Sequence, residues 1–312
     1  IIGPLLAVIL VRCSGWHIRE VPGGRKTGQW IVASAIGLHF TSEVMSQLLA
    51  HFPIILAGAI GTLLLSLIGI AVLVRSDVDR ATAFFASMPG GASEMVNLAQ
   101  RHNAEIARVA AAHSLRLLMV VLIVPALFTW SLPDTPRPPP APADAFWLAI
   151  LLPAGAALAW VWGKLKQPNP WMLGPLTVCA VASVSFDLHI GLPQGLGQVG
   201  QWLIGCALGC HFDRAFFRSA PAFLARIILF TLLAMLTAAG LATGLGWIAG
   251  QDSVSLMLGM MPGGITELCL TAEALQLSVA LVTALQVLRL FLVMFLAEPL
   301  FRVWQKRSAS SS

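Results

Sequence analysis

The sequence predicts an all-α polytopic membrane protein built as an inverted-topology duplication, each repeat being about five transmembrane helices plus one re-entrant hairpin. Three observations predict it. The 312-residue chain is 57% hydrophobic and only 11% charged, against a usual charged share of about 25%, and its mean hydropathy is +0.83. Three of its segments recur at offsets of 172, 173 and 173 residues. Its loop charges are distributed oppositely in the two copies.

The apolar stretches 54–74, 109–130, 145–162, 223–249 and 279–296 approach or exceed the roughly 20 residues that span a bilayer as a helix. A β-barrel would show alternating segments of about 10 residues instead. The repeat is explicit. Gly28–Phe40 (GQWIVASAIGLHF) and Gly200–Phe212 (GQWLIGCALGCHF) are identical at 7 of 13 positions, and Met88–Glu94 (MPGGASE) and Met261–Glu267 (MPGGITE) at 5 of 7. Leu115–Val120 (LRLLMV) then matches Leu288–Val293 (LRLFLV), aligning Arg116 with Arg289.

The loops orient the copies. Loop 12–27 carries four basic residues and its counterpart 184–199 none; segment 41–52 has none and 213–226 has three. Arg75 and Arg80 face no basic residue in 248–253, and Arg101 and Arg108 face none in 274–281. By the positive-inside rule the repeats have opposite orientations, which requires an odd number of crossings in each.

Repeat one is expected at 1–130. The chain opens inside the apolar run IIGPLLAVIL. Gly3-Pro4 matches Gly174-Pro175, yet the helix at 145–162 has no counterpart before Ile1, so the first helix of repeat one is expected to be missing, through truncation or natural absence. Between Arg80 and Arg101 lie 20 residues, enough for one crossing but not two. A re-entrant hairpin with its tip at Met88-Pro89-Gly90-Gly91 keeps both arginine clusters on the cytoplasmic side. The next helix crosses outward to an extracytoplasmic linker, 131–144, with six Pro among residues 133–144, a composition that cannot continue a helix. Repeat two is expected at 145–307, with Lys164 and Lys166 inside after its first helix and a second hairpin entering from outside. The last helix returns Arg302, Lys306 and Arg307 to the cytoplasm, followed by a tail at 308–312. The count is nine spanning helices and two hairpins.

Broken backbone at membrane depth is tolerated where protein buries it or where it lines a watery cavity, and paired breaks of opposite orientation are the pattern of transporter sites. After each Gly-Gly a half-helix starts with amides aimed off its end and a positive dipole, a place for an anionic group. The expected substrate-binding residues are therefore Pro89, Gly90, Gly91, Ser93 and Asn97 in the first break, and Pro262, Gly263, Gly264 and Thr266 in the second. Glu94 and Glu267 are the expected ion-coupling residues. The plainer reading is that hydroxyl and carboxylate only cap the half-helices. Arg116 and Arg289 lie too deep to reach an interface and need an anion: the repeated glutamates as structural pairs, or a substrate. Asn97, Gln100 and Glu273 extend the polar face of the half-helices. His39 and His211 end matching helices as interfacial or hydrogen-bonded residues, and Trp30 and Trp202 open them as interface anchors. His113 is matched by Gln286, so its role is expected not to be repeated.

Other classes fit poorly. The basic residues lie in short loops rather than along a groove, which disfavours nucleic acid. The five Cys show no CxxC spacing, the reading being buried small side chains. There is no HExxH, no paired intramembrane Asp and no Gly-x-Ser-x-Gly, and the seven His are scattered where a copper or iron site would cluster them. No enzymatic activity, no catalytic residue, no metal and no cofactor beyond an H⁺ or Na⁺ coupling ion is expected. The expected partners are a small-molecule substrate and the lipid bilayer, with further copies of the chain as a third candidate.

With the doubled MPGG-x-[S/T]-E and GQW…G-x-HF segments, the chain resembles the AbrB duplication family of bacterial inner-membrane proteins over nearly its whole length. Members of that family are labelled as transcriptional regulators or as ammonia monooxygenases. The resemblance implies a multi-pass protein of the bacterial inner (cytoplasmic) membrane, and relatives that begin further upstream. Neither label matches the residues: no DNA-binding module and no convergent metal donors are found. The function read from the sequence is secondary active transport of a small anionic or zwitterionic metabolite coupled to H⁺ or Na⁺, with the substrate between the two hairpins near the bilayer midplane. A non-transporting regulatory membrane protein is the alternative, and a membrane-embedded oxygenase a more distant one.

Overall fold

The computed structural model describes residues 1–75, 78–131 and 141–309, with the side chains of 93, 129, 131, 219 and 306–309 outside the description. Most of the expected linker, the side chain of Ser93 and the end of the tail thus lie outside the described residues. Every regular element described is a helix, in the order α1 (Ile2–Cys13), α2 (Gly24–Gly37), α3 (Ser42–Ala50), α4 (Phe52–Leu64), α5 (Ser66–Leu73), α6 (Arg80–Ser87), α7 (Ala92–Arg101), α8 (Ile106–Ser131), α9 (Ala145–Lys164), α10 (Pro170–Phe186), α11 (Leu196–Gly209), α12 (Arg214–Ser219), α13 (Pro221–Ala249), α14 (Ser253–Met260), α15 (Ile265–Ala274) and α16 (Val279–Ala309).

Five helical stretches among the described residues are long and apolar enough to cross a membrane: Phe52–Leu73, Ile106–Phe128, Ala145–Lys164, Pro221–Ala249 and Val279–Gln305. The helices α1 and α10 are apolar but shorter. Large apolar side chains stand exposed along these segments, including Leu229, Leu232, Leu233, Leu236, Trp247 and Ile248 on α13. A water-facing surface would not carry so continuous an apolar stripe, and an acyl-chain environment accommodates it.

The chain divides into two compact units: residues 1–52, 127–218 and 269–280 form one, and 53–126, 219–268 and 281–312 the other. In the first, α10 packs on α9 and α2, and α11 packs on α2 and α1. The GQW glycines explain the α2–α11 contact. A Cβ at Gly28 would lie 2.7 Å from the backbone oxygen of Gly200, and one at Gly200 would lie 3.2 Å from that of Gly28. The repeated glycines therefore let the two helices approach backbone to backbone. Trp30 donates from Nε1 to the Leu152 carbonyl (2.9 Å), so it anchors α2 to α9 instead of to an interface, while Trp202 is exposed. His39 and His211 behave alike: each ring Nδ1 lies on the carbonyl four residues back, Ala35 at 2.9 Å and Ala207 at 3.0 Å. Contacts between connections hold this unit at its helix ends. Arg12 donates to the Phe212 carbonyl and pairs with Asp213, Gln29 bonds Asn169, Ser42 donates to the Val184 carbonyl, and Gly191 N–H donates to the Pro142 carbonyl.

The second unit holds the interrupted pair α6/α7, and α14 with the first turn of α15 (265–268), together with α5, α13, most of α8 and α16 from residue 281. Both first halves start on the same device. Asp79 accepts from the amide of Thr82, and Asp252 accepts from the amides of Val254 and Ser255, each an Asp N-cap. Both first halves also end for the same reason. Met88 and Met261 precede Pro89 and Pro262, and a residue before proline is driven out of the helical region; their φ, ψ are −62°, 135° and −61°, 142°. At other helix ends of this unit, His102 lies 3.7 Å from Glu298, Thr82 accepts from the Glu105 amide and Arg108 lies over the Phe223 ring at 5.8 Å.

Candidate functional site

The helix breaks, both glutamates and both deep arginines fall within the second unit. Helix α7 makes its first intrahelical bond from Met95 N–H to Gly91 C=O, and α15 its first from Leu268 N–H to Gly264 C=O. Each half-helix therefore begins immediately after the second glycine, with its first-turn amides directed off the end. Pro89 and Pro262 are buried, the four glycines half-buried, and Thr266 buried. Asn97 is exposed on α7, one turn beyond half-buried Glu94, and Glu273 is exposed on α15.

None of the four glycines has positive φ, so the motif does not use Gly-Gly for left-handed backbone. It uses it for space, and the two positions differ. A Cβ at the first glycine would strike a neighbouring helix: at Gly90 it would lie 2.9 Å from Val293 Cγ1 on α16, and at Gly263 2.7 Å from Val120 Cγ1 on α8. The contacts are exchanged, since each break packs against the long helix that follows the other break. A Cβ at the second glycine would strike the motif's own carboxylate, lying 2.0 Å from Glu94 Oε2 at Gly91 and 2.1 Å from Glu267 Oε2 at Gly264. Both glutamates therefore fold back over the residue that opens their helix. Each carboxylate thereby sits at the positive end of its helix dipole.

Arg116 and Arg289 are 4% and 5% exposed. Neither is paired with a carboxylate among the described ion pairs, so the structural Arg–Glu pairs that depth and repetition suggested are not formed. Arg289 instead donates to the carbonyls of Met261 and Gly263, both at 2.8 Å, and to Gln286 Oε1. Its cation thus caps the carboxyl end of α14, where the dipole is negative. Gln286 in turn donates to the carbonyls of Gly259 (2.7 Å) and Met261 (3.2 Å).

The first repeat reaches the same arrangement with different chemistry. Arg116 Nη2 donates to His113 Nδ1 (2.9 Å), so Nε2 carries the ring proton and donates to the Phe85 carbonyl (3.0 Å). A neutral imidazole offers one acceptor and one donor, as a carboxamide does. His113 and Gln286 therefore both link a buried arginine to the carboxyl end of a half-helix, which overturns the expectation that the role of His113 is not repeated. A test follows directly. His113→Gln is expected to stay within about 1 kcal/mol of the parent in thermal unfolding, while His113→Leu, which orphans a buried carbonyl, is expected to cost about 1–3 kcal/mol. Equal losses in the two variants would refute the equivalence.

Both cations flank the second break: Arg289 bonds the Gly263 carbonyl, and the break's glycines pack on Leu117 and Val120 beside Arg116 on α8. Their hydrogen bonding is incomplete: Arg116 Nη1 and Arg289 Nε are buried without a partner. Elsewhere, no three of His, Cys, Asp and Glu converge among the described residues as a metal site would need.

An apolar helical protein with two broken helices, buried cations at the breaks and lipid-compatible flanks is of the polytopic membrane class. The chain belongs to the AbrB family: the family described as "Transition state regulatory protein AbrB" matches residues 1–305. It is similar to "Putative regulator AbrB" of Escherichia coli (strain K12), 29% identical over 97% of this chain and 88% of that protein. It is also similar to "Uncharacterized protein YhjN" of Bacillus subtilis (strain 168), 28% identical over 88% of this chain and 77% of that one.

Proposed function

We propose that the protein is a secondary active transporter of a small anionic or zwitterionic metabolite, coupled to H⁺ or Na⁺, in the bacterial inner membrane. The substrate site is formed at the two MPGG breaks, which are re-entrant hairpins of opposite orientation near the midplane. The observation that carries this reading is the exchange of the breaks around a pair of buried, incompletely bonded arginines, each break holding a carboxylate over its half-helix start. Irregular backbone and uncompensated charge are both costly in a bilayer, and a binding site accounts for both at once.

The inverted topology is supported by the helix-end contacts. Loop charge assigns 12–27, 213–226, the loop after Lys166, the flanks of α6/α7 and the C-terminus to the cytoplasm, and 41–52, 131–144 and 184–199 to the outside. Arg12–Asp213, Gln29–Asn169, Arg108–Phe223 and His102–Glu298 each join two segments of the cytoplasmic set. Ser42–Val184 and Gly191–Pro142 each join two of the outer set. None of these contacts crosses the assignment. Glu94 and Glu267 take the role of coupling groups, binding H⁺ or Na⁺ as they leave and regain the half-helix ends.

The test is uptake of a metabolite panel into proteoliposomes under imposed H⁺ and Na⁺ gradients. The wild type is expected to show gradient-dependent uptake, and Glu94→Gln and Glu267→Gln each to lose it by at least about tenfold, a change of about 1.4 kcal/mol or more. Gradient-independent uptake in all three proteins would remove the glutamates from coupling. The word "regulator" in the names of the family and of the Escherichia coli relative favours a second reading, a membrane-embedded sensor with the same site. It predicts ligand-induced stabilisation without flux.

A further inference from the structure

The reading of this region as a binding site leaves open how many charges the ligand carries. The arginines supply two cations, Arg116 from α8 and Arg289 from α16, and they gather at one place. Arg289 sits directly on the Gly263 carbonyl of the second break. A Cβ at Gly264 of that break would lie 3.0 Å from Leu117 Cδ1, and one at Gly263 2.7 Å from Val120, residues flanking Arg116 on α8. Neither arginine has a carboxylate partner among the described residues.

Each cation keeps one buried nitrogen without an acceptor, Arg116 Nη1 and Arg289 Nε. Capping the end of α14 explains three of Arg289's bonds but not the remaining donor. Nor does a structural role explain why both copies hold a cation where the two repel. Each glutamate is folded over the glycine that opens its own helix. The two guanidiniums belong to different helices and bring two positive charges, which a ligand with two acid groups matches in full.

We propose that the site takes a dianion with an acid group at each end, one bound by Arg116 and the other by Arg289. A monoanion would leave one buried cation unpaired, and charge-assisted pairs are the strong ones in a dry site. A bridging dianion cancels the repulsion and satisfies both orphan donors. The two half-helix starts then add their positive ends to the same anionic groups.

The experiment is thermal unfolding of the purified wild-type protein in detergent with the linear dicarboxylates from oxalate to adipate, each against its monomethyl ester, with sodium chloride controls at matched ionic strength. At least one dicarboxylate is expected to raise the midpoint, with its monoester needing about tenfold more for the same rise. Arg116→Gln, which leaves the Arg289 cap in place, is expected to bring diacid and monoester to within about threefold. A monoester matching its diacid in the wild type overturns the proposal, and so does no rise with any diacid. Uptake separates this from the transport reading. Diacid binding without flux keeps the dianion and sinks the carrier, whereas gradient-driven uptake of monoanions alone keeps the carrier and sinks the dianion.

Discussion

Arg289→Leu is expected to be the most destabilising single change at the site, costing on the order of 3–5 kcal/mol, as the Gly263 carbonyl and Gln286 Oε1 lose their described donor and the Met261 carbonyl loses one of three. The Gly263 carbonyl lies in the break between α14 and α15, outside either helix. Leucine supplies no donor to replace the guanidinium. Arg116→Leu removes one described bond, to His113 Nδ1, and is expected to cost about 1–3 kcal/mol. Thermal unfolding in one detergent orders the two. If Arg116→Leu proves at least as destabilising, the cap at α14 is not what Arg289 chiefly does.

The two glycines of each motif are expected to fail in different ways. Ala at Gly90 or Gly263 drives a methyl group against a β-branched side chain, Val293 or Val120, which cannot rotate away cheaply. The expected loss is about 1–3 kcal/mol of overpacking. At Gly91 the backbone, φ −64° and ψ 140°, suits alanine, and reduced unfolded-state entropy favours it by about 0.4–1 kcal/mol. What Ala displaces there is the Glu94 carboxylate, the far end of a flexible side chain. Gly91→Ala is therefore expected to unfold no earlier than the parent, yet to lose gradient-driven uptake about as fully as Glu94→Gln. A variant that unfolds normally and transports normally would show that the folded-back carboxylate has no part in coupling.

How far this was legible in the sequence depended on whether the physics left residue identity intact. The breaks at Met-Pro-Gly-Gly, the aligned arginines and the GQW helices were readable because close backbone approach, a pre-proline stop and a buried cation each admit few residue types. The role shared by His113 and Gln286 was not, since two dissimilar side chains supply the same donor and acceptor. Asp79 and Asp252 also match at an offset of 173, but they sit in otherwise unlike segments and their capping was missed. The separate duties of the paired glycines were hidden too, because Gly-Gly reads as flexibility, whereas here it means room. Asn97 looked like a second polar contact one turn along; helix position alone does not tell an outward face from one that lines a site, and the structure leaves it exposed.

The exchanged contacts also bear on how such a chain can be divided and inherited. Gly90 rests on Val293 while Gly263 rests on Val120, and Gly28 rests on Gly200 as Gly200 rests on Gly28. Residue i of one copy meets residue j of the other and j meets i, which is the signature of an isologous two-fold dimer carried within a single polypeptide. Within each unit, each copy thus finishes the packing of the other. Two separately encoded halves would complement one another, and neither would mature alone. Duplication leaves each copy room to diverge where chemistry allows, as His113 and Gln286 have.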